Sequence, residues 1–474
     1  MHRGIAKAML YAIEHLRGEQ VRRYLKELEY LQYRPPEEIR EYQRQRLHAL
    51  MRHVVHNNRY FAKKYARIDV VREFTSLPVL TKGELRENYQ EMVSENAEGR
   101  LDLVETSGST GQPLTFYRDR VVFGRTLASV YRAHRWLGLE VGSKEAMLWG
   151  VPLGRTSRFK ARMRDLLLNR FREKEFNLTE AVLADYYDKL RRKRPDYLYG
   201  YSSMIYEFAL YLKEKNLNGK ELKLKAAIGT AEQIHSHQRE CIEEVLGCKV
   251  YSEYGATETG IISFECRHGS HHVSDDCIYL EIVDEKNRPL PPGTVGKVLV
   301  TVLNSHATPI IRYELGDYAS GSPRRCSCGV NLSTIEKVKG RTSDIVITPD
   351  GKCYHSIIFY YLMKDLTEKS GGIRQFKVHQ TAISQLDLYI VRSAGYTEET
   401  ERYISKKMRQ LFGDAMHIRF VYAQALARER SGKLRDFRTD LHAEETLRQL
   451  YRSTGAGMDL PSMPQFDREP SNVS

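Results

Sequence analysis

The sequence predicts an α/β protein: a large N-terminal α/β domain with parallel sheets and a β-rich subdomain, followed by a small C-terminal α+β domain. Three observations carry this expectation. From Val121 to Val250 helical periodicity alternates with short apolar runs such as Ala146-Met147-Leu148-Trp149, Tyr197-Leu198-Tyr199 and Leu224-Lys225-Ala226-Ala227-Ile228, the signature of helices layered on a largely parallel sheet. From Ile278 to Val302 two runs of period two flank the turn Pro291-Pro292-Gly293. After Gly340 the order becomes strand, turn at Pro349-Asp350-Gly351, helix, strand (Leu386 to Val391), helix (Glu398 to Phe412) and strand (Ile418 to Val421).

Taken in order, residues 1–70 read as helical scaffold packed on the large domain. Ile39, Tyr42, Leu47, Leu50, Met51, Val54 and Val55 form a stripe at helical spacing, and Pro35-Pro36 before Glu37 and Glu38 suits a helix start. Thr81 followed by Glu84 predicts a capping box. Residues 71–340 hold the large domain, 341–454 the C-terminal domain, and 455–474, rich in Pro, Ser and Gly, a disordered tail.

With 41% hydrophobic and 28% charged residues in 474, the chain has the composition of a globular protein with a sizeable core. No run approaches the roughly 20 apolar residues of a membrane span, and Ile5 to Tyr11 is too short and interrupted for a secretory signal, so a cytoplasmic location is expected. The odd count of seven Cys argues for free thiols or metal ligands over a disulfide framework.

The net charge of +13 is concentrated between Arg155 and Arg194, where thirteen Lys or Arg face six Asp or Glu. Phe159, Met163, Leu166, Leu167 and Phe171 make this segment read as a basic amphipathic helix, open to three roles: a solvated face, a peripheral membrane contact or a site for an anionic polymer. No nucleic-acid-binding module accompanies the charge, and no nucleic-acid partner is expected.

Five stretches carry the chemistry. Thr106, Ser107, Gly108, Ser109, Thr110 and Gly111, followed by Gln112-Pro113, supply hydroxyls, backbone N–H groups and two glycines suited to cradling phosphate oxygens. A loop of this composition alone is equally an ordinary turn, and the Walker spacing is absent. The others are Tyr251-Ser252-Glu253-Tyr254-Gly255-Ala256-Thr257-Glu258, Arg312-Tyr313-Glu314-Leu315-Gly316-Asp317, Gly340-Arg341-Thr342-Ser343-Asp344 and Ser431-Gly432-Lys433-Leu434-Arg435. Between the first two, Gly229-Thr230-Ala231-Glu232 ends an apolar strand in a small-residue turn, where open α/β sheets place ligands.

In this order the motifs resemble the adenylate-forming superfamily of acyl-CoA synthetases, above all its phenylacetate-CoA ligase branch and the related CapK-like capsular-polysaccharide proteins, over residues 40 to 440. The resemblance implies the adenylate-forming enzyme fold with the C-terminal domain as lid, ATP, Mg²⁺ and CoA as reactants or cofactors, and activation of a carboxylic acid to an acyl-adenylate before transfer to CoA. It assigns Thr110 and Glu258 to Mg²⁺, Thr257 to the α-phosphate, Tyr254 to adenine, Gly255 to cofactor binding, Gly229 to Glu232 to the nucleotide wall, Asp317 to the ribose, Arg341 to the nucleotide at the domain junction, Thr342 to Asp344 to a hinge, and Lys433 to the reacting oxygens. Gln112 stands where the family often has Lys. The alternatives are an acceptor other than CoA in polysaccharide or envelope biosynthesis, and a catalytically idle nucleotide-binding scaffold.

A second cluster joins Cys266, His268, His271 and His272 to Cys326-Ser327-Cys328. Three thiolates and one imidazole fit a structural Zn²⁺ site, with Cys266, Cys326 and Cys328 as ligands and His272 preferred to His271 or His268. Trp149, Tyr199, Tyr201 and Tyr131 are aromatic candidates for an acyl pocket and equally for plain core.

Overall fold

The computed structural model describes residues 2–97, 101–105, 114–149, 165–173, 178–336, 338, 340–341, 345–356, 358–359, 362–363, 372–393, 395–428, 434–441 and 446. They divide into two units, one of residues 1–315, 319–338 and 430–433, the other of 316–318, 339–429 and 434–474.

The first unit begins with helices α1 (Arg3–Arg17), α2 (Val21–Leu31), α3 (Pro36–Asn57), α4 (Arg59–Lys64) and α5 (Lys82–Asn88). Pro36 occupies the first turn of α3, where its missing N–H costs nothing, and Glu37 and Glu38 lie at the same positive end. Leu47, Leu50, Met51 and Val54 of α3 share one buried cluster with Phe61, Leu80, Val302, Ile310 and Tyr313, so the N-terminal helices are built into the core. The box expected at Thr81 is half made. Thr81 Oγ1 accepts from the Glu84 N–H at 3.2 Å, but the Glu84 carboxylate turns to Lys64 Nζ at 2.6 Å and to the Tyr60 hydroxyl, because a charged donor outcompetes a backbone N–H.

A short antiparallel pair, β1 (Asp102–Glu105) and β2 (Thr115–Arg118), precedes α6 (Arg120–Trp136), which is capped by Asp119 Oδ1 accepting from the Val122 N–H at 2.7 Å. Then follow β3 (Glu145–Leu148), β4 (Arg170–Glu173), α7 (Glu180–Lys193), β5 (Tyr197–Tyr201), α8 (Ser202–Glu214), β6 (Ala226–Thr230), α9 (Ser236–Leu246), β7 (Val250–Ala256), β8 (Gly260–Glu265), β9 (His271–Val273), β10 (Ile278–Val283), β11 (Val295–Val302), β12 (Tyr313–Ser320) and β13 (Thr334–Ile335). An eight-stranded sheet runs β13-β9-β8-β7-β6-β5-β3-β4. Strands β4, β3, β5, β6 and β7 are parallel, as expected, and β8, β9 and β13 are antiparallel additions. The three residues between β7 and β8 are too few for a crossover and can only make a hairpin. Ala133 of α6 and Leu137 just after it pack with Ile228 and Phe264, while Leu183, Phe208 and Ile242 of α7 to α9 pack with Leu198 and Ala227. The β-rich subdomain is the antiparallel pair β10–β11 with β12 beside it.

The basic segment departs from the expected single helix. Residues 151–164 and 174–177 lie outside the described residues; 165–167 are helical, Asn169 takes a left-handed φ of 52° that ends the turn, and Phe171 lies on edge strand β4. The apolar spacing through Phe171 joins two elements of different period. Phe171 packs against the core cluster under α7 and α8, which is the burial that the strand position secures.

In the second unit β14 (Gly340–Arg341) pairs with residues of β12, setting Asp317 opposite Arg341 and Tyr318 opposite Gly340. The hairpin β15 (Ile345–Ile347) and β16 (Cys353–His355) turns at Gly351, where φ is 78°. A four-stranded sheet of order β19-β18-β17-β20 combines β17 (Ile373–Ala382), β18 (Gln385–Arg392), β19 (His417–Ala423) and β20 (Phe437–Thr439). Helix α10 (Glu398–Phe412), with its bounds as the sequence predicts, covers this sheet through Ile404, Met408 and Phe412 against Leu386, Leu388 and Ile390. The expected tail, 455–474, lies outside the described residues. Among the described residues no helix is long and apolar enough to cross a membrane.

Glu14 of α1 is buried with neither carboxylate oxygen hydrogen-bonded among the described residues, and burial, with nearby Glu19, pushes its pKa up to about 8. The folded state therefore holds this proton more tightly than the unfolded chain, and stability falls as pH rises from the ordinary carboxyl range through about 8. Glu14→Gln should remove that fall and be about 3 kcal/mol more stable than the parent at neutral pH, with parity restored near pH 4, read by denaturant melts across that range.

Candidate nucleotide wall and Cys/His cluster

Strands β6 and β7 are parallel neighbours, with Thr230 opposite Glu253. Their C-terminal ends therefore bring Gly229-Thr230-Ala231-Glu232 beside Tyr254-Gly255-Ala256-Thr257-Glu258, two stretches that the sequence places over twenty residues apart. The β6 turn is built tightly. A Cβ on Gly229 would lie 2.6 Å from Ile234 Cδ1 and 2.7 Å from Ser202 Oγ, so only glycine fits without displacement. Ala231 has φ of 66°, a conformation that a residue with a Cβ adopts at a cost of order 1 kcal/mol and that packing must hold. Glu232 is engaged close by, with its Oε2 accepting from the Ser203 N–H at 2.9 Å at the start of α8 and its carbonyl accepting from Ser202 Oγ at 3.0 Å.

On the β7 side Gly255 and Thr257 are exposed and Tyr254 is half-buried. Glu258 Oε1 accepts the Tyr313 hydroxyl at 3.0 Å, which fixes one carboxylate oxygen and leaves the other for a cation. Tyr313 belongs to the third motif, and its neighbour Arg312 is a residue that sequence reasoning passes over. Arg312 is fully buried, with φ of 45°; Nε donates to Glu281 Oε2 at 3.1 Å, Nη2 to the Asn287 carbonyl at 2.9 Å and Nη1 to the Leu77 carbonyl.

Glu253, between the two stretches, is equally silent in the sequence. Its Oε1 accepts from Tyr199 Oη and Thr230 Oγ1, each at 2.9 Å, while Oε2 is buried with no partner among the described residues. Burial raises its pKa. Trp149 stacks on Tyr201 at 4.5 Å and on Tyr199 at 6.0 Å, so three of the four aromatic candidates form one stack beside this carboxyl. Tyr131, the fourth, packs in the separate cluster of Leu10, Leu28 and Ile262.

In the second unit the structure sets Asp317 opposite Arg341 across β12 and β14. Gly316, with φ of 77°, supplies the turn before Asp317. Thr106, Ser107, Gly108, Ser109, Thr110 and Gly111, hinge residues Thr342 to Asp344, and Lys433 lie outside the described residues.

Cys266, His272, Cys326 and Cys328 converge so that one ligand atom from each lies within 4.8 Å of the others. Cys266 Sγ is 3.6 Å from Cys326 Sγ, and Cys328 Sγ is 3.2 Å from His272 Nε2. His272 Nδ1 lies 3.3 Å from the Leu332 carbonyl, a contact that favours the proton on Nδ1 and frees Nε2 for a cation. Burial holds the His272 pKa down at about 4, which keeps the ring neutral, and pushes the Cys266 thiol up to about 12. Cys266 is buried and Cys326 and Cys328 are half-buried, and three thiols this close cost free energy as thiolates unless a cation compensates them, so the donor set fits a divalent soft-to-borderline metal. His271 turns to Ser263 Oγ at 3.4 Å and His268 to Ser327 Oγ at 2.9 Å, both away from the cluster.

Residues 346–438 match the CapK C-terminal domain family. The chain is 23% identical to Protein CapK of Staphylococcus aureus over 58% of this chain and 62% of that one, and 32% identical to phenylacetate-coenzyme A ligase of Thermus thermophilus over 32% and 36%. The chain is a homologue of CapK and the phenylacetate-CoA ligases. The matched regions span less than two thirds of either relative. Among solved structures, 2-hydroxyisobutyryl-CoA ligase in the postadenylation state, in complex with R3-HIB-AMP, superposes with a TM-score of 0.70 at 20% identity, covering 90% of this chain and 94% of that one. The fold is thus that of adenylate-forming CoA ligases, the fold that the CapK-like motifs imply.

Glu253→Leu should destabilise the chain by about 2–4 kcal/mol, because it strands the Tyr199 and Thr230 hydroxyls without their acceptor. Glu253→Gln keeps an acceptor oxygen and removes a desolvated charge, so it should match or exceed the parent at pH 8. Equal losses in the two variants, measured by chemical denaturation, would assign the site to packing alone.

Proposed function

We propose that the chain activates a carboxylic acid with ATP and transfers the acyl group to a second acceptor, CoA in the leading reading. A carboxylate oxygen attacks the α-phosphorus, a P–O bond to pyrophosphate breaks, and an acyl-adenylate results. The acceptor thiol then loses its proton, its sulfur bonds to the acyl carbon, and AMP leaves. The observation that carries this reading is the convergence of the β6 turn and the β7 motif at adjacent strand ends, on the fold of a ligase seen with an acyl-AMP.

Within that reading, Tyr254 and Gly255 with Gly229 to Glu232 form the adenine-side wall, Thr257 contacts the α-phosphate, and Asp317 accepts from the ribose hydroxyls, with Arg341 beside it. Residues 106–111 cradle the leaving pyrophosphate. Glu258, oriented by Tyr313, and Thr110 would hold Mg²⁺, which when bound neutralises phosphate charge. Lys433 meets negative charge as it builds between the two anions. Holding a carboxylate and ATP in line and compensating their negative charge would lower the barrier through positioning and charge neutralisation.

A second reading, transfer to an acceptor other than CoA in polysaccharide assembly, is favoured by the CapK match across 346–438. An ATP–pyrophosphate exchange screen over aryl and acyl carboxylates tests the shared first step, and thioester formation with CoA separates the two acceptors. A screen in which no acid supports exchange would return the chain to the idle-scaffold class.

Lys433→Ala should lower adenylate formation by about 10²–10³-fold while ATP affinity changes little, because its contact strengthens in the transition state. Equal losses of affinity and rate would make it a ground-state contact.

Cys266, His272, Cys326 and Cys328 would hold a structural Zn²⁺, which when bound ties two distant stretches of chain together. Protein purified without chelator should carry about one zinc per chain, and Cys326→Ser or Cys328→Ser should lose it along with part of the thermal stability. Metal analysis that finds no zinc in the parent protein would exclude the site.

A further inference from the structure

Helix α1 is oriented against the usual rule. A surface helix normally buries its apolar face, yet α1 turns Ala6, Leu10 and the Glu14 carboxyl inward and exposes Ile5, Ala8, Ala12 and Leu16, with Met9 and Ile13 half-exposed beside them. Ile5 is 56% exposed and Leu16 84%, the highest value among the exposed large apolar residues. At 100° per residue these six positions fall within an arc of about 140° along about three turns of the helix. A continuous apolar stripe of this length is not random surface.

The α2 flank of the stripe is basic. Residues 3–29 contain six Lys or Arg and four acids, of which Glu14 and Glu19 are buried and Glu27 and Glu29 are half-buried and paired with Arg125 and Arg135 of α6. Arg17 pairs with Glu19 at 2.7 Å, whereas Arg22, Arg23 and Lys26 project from α2 into solvent along an open groove of about 910 Å³ that α1 borders with Tyr11, Ala12 and His15. Lys7, Arg22, Glu29 and Arg135 line a second groove, of about 620 Å³, on the side of α1 turned away from the stripe. The Glu14 carboxyl, with its pKa near 8, is mostly uncharged at neutral pH and does little to offset these cations.

From this arrangement we infer that α1 is an interfacial anchor: its outward face lies in the surface of an anionic phospholipid bilayer, with Ile5, Met9, Ala12 and Leu16 at the acyl boundary and Arg22, Arg23 and Lys26 on the lipid phosphates. Charge complementarity selects this occupant. Two copies of the chain joined through α1 would oppose their cationic flanks, at a net charge of +13 each, whereas an anionic bilayer satisfies the apolar stripe and the cations at once. The helix is too short and too interrupted by charge to span, so the mode is peripheral.

The test is co-sedimentation of the full chain with vesicles of phosphatidylcholine alone or with about one-third phosphatidylglycerol. The anionic vesicles should bind at least about tenfold more tightly, and binding should weaken as salt rises. Ile5→Gln combined with Leu16→Gln should reduce binding about tenfold or more, and Ala12→Leu should raise it several-fold. The Ala12→Leu arm decides the matter should the double variant fail to fold. Absence of binding to anionic vesicles, indifference to both sets of substitutions, or a dimer in free solution that the double variant dissolves would each overturn the assignment.

Discussion

The large unit depends on one buried guanidinium. Arg312 is 1% exposed, and an unpaired charge at that depth would cost several kcal/mol, so its partners are obligatory. They come from across the chain: Glu281 on β10, the carbonyl of Asn287 in the following turn, and the carbonyl of Leu77 before α5. The backbone of the same residue accepts from the Leu80 N–H at 3.1 Å and donates to Thr301 Oγ1 at 2.8 Å. The N-terminal helices, the β-rich subdomain and the start of β12 are thereby fastened at one point. Tyr313 follows immediately and reaches Glu258, so the position of the proposed cation ligand is set by a charge that does no chemistry.

The order of motifs, the parallel strands and helix α10 were legible because each rests on neighbours in sequence. Cys266, Cys326 and Cys328 were legible by ligand type, and strand geometry separates the histidines: alternate residues of β9 face opposite ways, which sends His272 to Cys328 and His271 to Ser263. Arg312 and Glu253 were not legible. An arginine or glutamate beside a motif reads as surface until residues far away in the chain, Glu281 for one and Tyr199 and Thr230 for the other, are seen to enclose it. The segment around Phe171 shows the opposite failure. Its spacing counts as helical across Asn169, and only the left-handed backbone at that residue divides helix from strand.

Helix α1 exposes a limit of periodicity itself. Spacing shows that Ile5, Met9, Ala12 and Leu16 share one face, but it does not say whether that face meets core or solvent. Ala6, Leu10 and Glu14 look like the poorer candidates for burial and are the ones buried. The decision lies with α2 and α6: Tyr24, Leu25 and Leu28 of the one and Ala128 of the other share a buried cluster with Leu10, so the face of α1 that meets core is the one that carries Leu10.

The Cys/His cluster bears on the order in which the chain is made. Cys266 and His272 leave the ribosome well before Cys326 and Cys328, and the sixty-residue span from Cys266 to Cys326 contains β10, β11, β12 and Arg312. Closing that span before its contents fold would remove much of its freedom to search, whereas closing it afterwards costs little additional entropy. Were the four residues to share a metal, the early pair alone would hold too few of its ligands to retain it against competing thiols. The late pair would then act as a latch that the nascent chain cannot close prematurely, leaving the subdomain the whole interval of its own synthesis in which to find Arg312 its partners.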